Sequence, residues 1–63
     1  MKTYEDAIRE AAEIYEALGI AEKFIIRNAE WCGMRDMIVF IYGKDAGTVR
    51  ADVKALLEQR RRQ

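Results

Sequence analysis

Apolar and polar positions follow two different rhythms along this chain. Between Tyr4 and Leu18 the apolar residues Tyr4, Ile8, Ala11, Tyr15 and Leu18 recur at spacings of four and three, broadened by Ala7 and Ile14. Glu5, Arg9, Glu10, Glu13 and Glu16 fall between them, so this stretch predicts an amphipathic helix over residues 4–18. Thr3 followed three positions on by Asp6 is a capping-box pattern for its start. Gly19 supplies a left-handed end, and Ile20 folds back onto the last turn.

The rhythm then changes to the run Met37-Ile38-Val39-Phe40-Ile41-Tyr42, which has no polar face. A run of this length between Asp36 and Gly43 reads as a strand that needs cover on both faces. Residues 23–32 fit two descriptions. Phe24-Ile25-Ile26 is rich in strand formers, whereas Ile20, Phe24, Asn28 and Trp31 stand at helical spacing. A strand is favoured, because a solitary strand at 37–42 would leave its backbone groups unpaired. Cys32-Gly33-Met34-Arg35 then forms the turn of a hairpin, with Gly33 tolerating positive φ.

Gly43-Lys44-Asp45 breaks the second strand, and Asp45 or Thr48 caps a last helix that buries Ala46, Val49, Val53, Leu56 and Leu57. Arg60, Arg61 and Arg62 suit the negative end of that helix. The pattern predicts one α+β domain over residues 1–63, ordered helix-strand-strand-helix. Both helices lie on one face of an antiparallel two-stranded hairpin, and the sheet is completed by dimerisation. Met37, Val39, Phe40, Ile41 and Tyr42 are the expected self-association surface, by edge pairing or face packing across a two-fold axis.

Composition sharpens that expectation. A chain of 63 residues has little core to spare. Cys32 is its single cysteine and histidine is absent, so neither an internal disulfide nor an ordinary Cys/His zinc site supplements the core. Association is the remaining supplement for a small domain. One cysteine, an N-terminus without signal-peptide character and no apolar stretch near 20 residues together suggest a cytoplasmic protein.

Charge is unevenly placed although it sums to zero. Residues 1–22 hold two basic and six acidic side chains, and residues 23–63 hold nine basic and five acidic ones. Glu10, Glu13 and Glu16 are therefore candidates for contacting a partner protein, together with Trp31, a large aromatic whose default is core packing and which becomes an anchor if it lies on the bare face of the hairpin. Arg50, Lys54, Arg60, Arg61 and Arg62 are the candidates for nucleic acid, although solvated helical faces account for both sets more simply.

Catalytic chemistry has few parts to work with. There is no serine and no histidine, which excludes Ser/His and Cys/His nucleophile pairs. Cys32 beside Trp31 reads as a small packed residue rather than a thiolate activated by Arg35. Asp6 with Glu10, and Glu13 with Glu16, read as solvated surface rather than as a cation site. Gly43-Lys44-Asp45-Ala46-Gly47-Thr48 has the residue types of a phosphate loop in the wrong order, so a turn and helix cap is the better account. No cofactor is expected.

Two family resemblances stand beside this reading. Thr48-Val49-Arg50-Ala51-Asp52-Val53-Lys54-Ala55-Leu56-Leu57 resembles the recognition helix of winged-helix repressors of sugar and nucleoside metabolism, which implies a helix that enters the major groove. Ala7-Ile8 with Ala11-Ala12, the apolar run and Gly43 to Val49 are similar in layout to the central helix-strand-strand-helix of bacterial microcompartment shell domains. The outer strands of that ferredoxin-like fold have no counterpart here. The functional expectation is a small, non-enzymatic, homodimeric intracellular protein that regulates or inhibits a larger protein by binding it, in the style of phage or mobile-element accessory proteins. Nucleic-acid binding through the basic last helix is the alternative.

Overall fold

The computed structural model describes residues 2–19 and 24–62. They form three helices: α1 (Tyr4–Glu16), α2 (Phe24–Tyr42) and α3 (Ala46–Arg61), with one 3-10 turn, Ala17–Gly19, closing α1. Among the described residues there is no strand, so the fold is all-α and the expected α+β hairpin is corrected.

Local chemistry sets the helix starts. The Thr3 hydroxyl accepts the Asp6 N–H at 3.2 Å, and the Asp6 carboxylate accepts the Thr3 N–H at 3.2 Å, which completes the capping box. The Thr3 N–H foremost, and then the Thr3 side chain, hold the Asp6 carboxyl below its ordinary pKa. At α3, Asp45 is the N-cap. Its carboxylate accepts from the N–H groups of Gly47 at 2.9 Å and Thr48 at 3.3 Å, and from the Thr48 hydroxyl at 2.7 Å. The same bonds, with the Thr48 hydroxyl foremost, depress the Asp45 pKa. Gly43 takes φ of +65° just past α2, where a Cβ would be strained, so the chain turns there. The left-handed end expected at Gly19 is not formed, because α1 tightens into the 3-10 turn instead. The expected fold-back of Ile20 lies outside the described residues.

The hairpin fails for a physical reason. Asn28, Trp31, Cys32, Arg35, Ile38, Val39 and Tyr42 repeat at spacings of three and four, and these are the α2 positions that turn inward. Six consecutive apolar residues do not by themselves distinguish a strand from a helix turned toward a core on one side. Here Ile38, Val39 and Tyr42 pack inward, while Met37, Phe40 and Ile41 point out. Gly33 sits inside the helix, not in a turn, and the interior backbone groups along 24–42 pair within one element. The two-stranded sheet, its edges and its bare sheet face therefore do not exist, and neither does the layout similar to shell domains.

One core joins the three helices. Ala7, Ile8, Ala11 and Ala12 of α1, Trp31 and Ile38 of α2, and Val49 and Val53 of α3 are buried together. The alanines let the helices approach closely, and the Trp31 indole meets the Tyr15 ring edge-on at 4.9 Å. Leu56 and Leu57 pack at the margin as the sequence suggests, whereas Ala46 is exposed at the start of α3. Tyr42 closes the other end. Its hydroxyl donates to the Lys2 and Thr3 carbonyls at 3.0 and 3.3 Å, and its ring meets Tyr4 edge-on at 5.7 Å.

Candidate interaction surface

With α1 and α3 packed on one side of α2, the opposite side of α2 is left open. Ile25 is 84% exposed, Ile26 64%, Met37 43%, Phe40 89% and Ile41 60%. At about 100° per residue, these side chains and the exposed Ala29 and Gly33 between them fall within one arc of about 160°. They are one patch rather than scattered surface residues. With ordinary side-chain areas the five large residues leave on the order of 600 Å² of apolar surface in water, the upper limit for a monomer's largest patch. The chain exposes 4651 Å² in total, against roughly 4,200 Å² for a closed monomer of 7.3 kDa.

The residues expected to self-associate are thus divided by the helix. Met37, Phe40 and Ile41 lie on the open face; Val39 and Tyr42 are half-buried and turn toward the core. Ile25, Ile26, Ala29 and Gly33 belong to the same face, and sequence reasoning passed over them because it placed a turn at Gly33. Their spacing of seven, from Ile26 to Gly33 to Phe40, was the available signal.

Trp31 is buried in the core, so it is not an anchor on an exposed face. Glu10, Glu13 and Glu16 are exposed on the outer side of α1. Glu10 is held by Lys2 at 2.7 Å, whereas Glu13 and Glu16 have no ion pair among the described residues. The basic candidates separate as well. Arg50, Lys54 and Arg61 share one stripe of α3, Arg60 lies off it, and Arg62 pairs with Glu58 at 3.6 Å. Arg50 lines a shallow groove with Arg35, Tyr15 and Trp31, and Lys54 and Arg61 line a smaller one beside Tyr15. Within the stretch similar to a repressor recognition helix, Val49 and Val53 are buried and Asp52 is tied to Tyr4, so one side of that helix is committed to the core.

Cys32 is free and half-buried, and among the described residues no group of three His, Cys, Asp or Glu side chains is placed to hold a metal ion. A groove of about 380 Å³ between α1 and α3 is open and is lined by Tyr4, Glu5, Ile8, Arg9, Asp52 and Leu56. Among the described residues no helix is long and apolar enough to cross a membrane.

No protein-family model, no curated protein and no solved structure matches the chain. The functional reading therefore rests on the surfaces described above.

Proposed function

We propose that this chain is a non-catalytic interaction protein that self-associates through the outer face of α2 and presents the acidic side of α1 to a larger protein. It acts by occupancy, as a regulator or inhibitor, and not by chemistry. The observation that carries this reading is the concentration of Ile25, Ile26, Met37, Phe40 and Ile41 on one helix face. Leaving such a patch in water gives up about 25 cal/mol for each Å² that a partner would cover. Glu13 and Glu16 supply an exposed acidic surface on the side of α1 away from the core. A lone unpaired cysteine fits a cytoplasmic setting.

Sedimentation equilibrium over a wide dilution series tests the reading. The expected result is a concentration-dependent dimer that Phe40→Asp abolishes while the helical circular dichroism signal stays. A wild-type chain that remains monomeric at every concentration overturns it.

The Arg50, Lys54 and Arg61 stripe favours a second reading, nucleic-acid binding along α3 with Arg35 across the groove. Phosphate contacts of this kind weaken steeply as salt rises. An absence of any gel retardation at low salt removes it.

A further inference from the structure

The open face of α2 is symmetric about one residue. Ile26 and Phe40 stand seven positions on either side of Gly33, Ile25 and Ile41 eight, Ala29 and Met37 four, and the acids Glu30 and Asp36 three. Gly33 is at the centre of the arc and is exposed, with nothing within 4 Å of where a Cβ would sit. A glycine inside a helix is unfavourable relative to alanine, and no contact within this chain requires one at 33. Its use is to let another backbone come close.

We propose that the occupant of this face is a second copy of the chain, with the two α2 helices antiparallel and crossing at Gly33 on the two-fold axis. This rests on the self-association reading above and adds its geometry. At about 1.5 Å rise per residue, Phe40 of one copy lies level with Ile26 of the other, about 10 Å from the crossing, and Met37 lies level with Ala29. Large residues then meet smaller ones at equal distances on both sides of the centre, as close packing requires. A parallel pair would set Phe40 on Phe40 and Met37 on Met37 at one end and Ala29 on Ala29 at the other, wedging one end apart.

Charge and area agree with the antiparallel arrangement. Glu30 and Asp36 stand about 60° to either side of Gly33, within the arc and between its centre and its edges. Glu30 is paired with Arg27 at 2.8 Å and Asp36 with Arg35 at 3.1 Å, so each acid is neutralised within its own copy. Two faces of the size described bury on the order of 1,200 Å² when fully covered, against the roughly 1,000 Å² of a specific interface. Because α1 and α3 pack on the far side of α2, the dimer carries its two acidic α1 faces outward on opposite sides. It is built to hold two partner molecules at once.

Cysteine cross-linking reads the register directly. In a Cys32→Ala background, Ala29→Cys and Met37→Cys are oxidised separately and as an equimolar mixture, with circular dichroism and sedimentation run on each. The expected result is a covalent dimer from the mixture and from the Ala29→Cys/Met37→Cys double variant, and almost none from either single variant. Self-linking of the single variants means a parallel pair and overturns the proposal. No linking in a chain that still sediments as a dimer means another face or register; both outcomes leave self-association standing. A monomer at all concentrations overturns both. Gly33→Ala gives an independent reading: about a tenfold weaker dimer, with a higher thermal midpoint at dilutions where the monomer prevails. A dimer of unchanged or greater affinity removes Gly33 from the crossing point.

Discussion

The Tyr4 hydroxyl donates a 2.6 Å hydrogen bond to the Asp52 carboxylate, joining the first turn of α1 to the middle of α3 across 48 positions. Lys44 lies over the same ring, its ammonium 5.1 Å from the ring centre. This contact fastens the two helices that do not carry the open face, and it holds them on the opposite side of α2.

Tyr4→Phe removes one hydrogen bond to a charged acceptor and leaves Asp52 half-buried without it. A loss of about 1 kcal/mol in urea unfolding is expected. Burial first, and then the bond to Asp52, raise the Tyr4 pKa well above its ordinary value. The native state therefore keeps a proton that the unfolded chain releases near pH 10. This contribution is complete below about pH 10 and is lost as the pH rises further, so the alkaline fall in stability should be shallower in Tyr4→Phe.

The two caps titrate in the other direction. Asp6 and Asp45 have depressed pKa values through their bonds to Thr3 and to Thr48. Their contribution is present above the unfolded carboxyl pKa of about 4 and is lost as the pH falls through the lower native values. Asp45→Ala should lower the thermal midpoint by a few degrees at pH 7. The difference from wild type should narrow as the pH falls below about 4, and a gap that does not narrow would show that the cap acts without its charge.

Ile38 and Ile25 are chemically identical residues on one helix with opposite surroundings, fully buried and 84% exposed. In a Phe40→Asp background, where no second copy covers α2, Ile38→Ala should cost about 2–5 kcal/mol through the cavity it leaves. Ile25→Ala should stay within about 0.5 kcal/mol in the same background. Denaturant midpoints at equal m-values compare them, and equal losses would contradict the placement of the open face.

The acidic side of α1 lies away from both the core and the open face. Glu13→Lys with Glu16→Lys should leave the thermal midpoint within a few degrees of wild type and the dimer dissociation constant unchanged. Sedimentation equilibrium and thermal melts of the double variant check this. A weakened dimer would mean that α1 takes part in self-association.

The sequence by itself determined the features that depend on neighbours in the chain. Thr3 with Asp6 marks the start of α1, and its apolar stripe follows from a period that one helix satisfies alone. Asp45 or Thr48 caps α3 in the sequence, between which the structure chooses Asp45, and Val49 and Val53 form its buried edge. The scarcity of reactive side chains was equally legible. What only the tertiary structure decided was the state of residues 24–42 and the side of that segment that meets the core. A continuous apolar run satisfies a strand and a helix alike, because its period is hidden when both faces are apolar. Docking against the Ala7, Ala11, Ala12 and Val49 surfaces chooses the helix, since that arrangement pairs the interior backbone groups of α2 within itself and buries Trp31 and Ile38 together. The same docking assigns Val39 and Tyr42 to the inside and Phe40 and Ile41 to the outside. The open face centred on Gly33 is thus a product of packing, and its symmetry is visible in the sequence only once the helix is known.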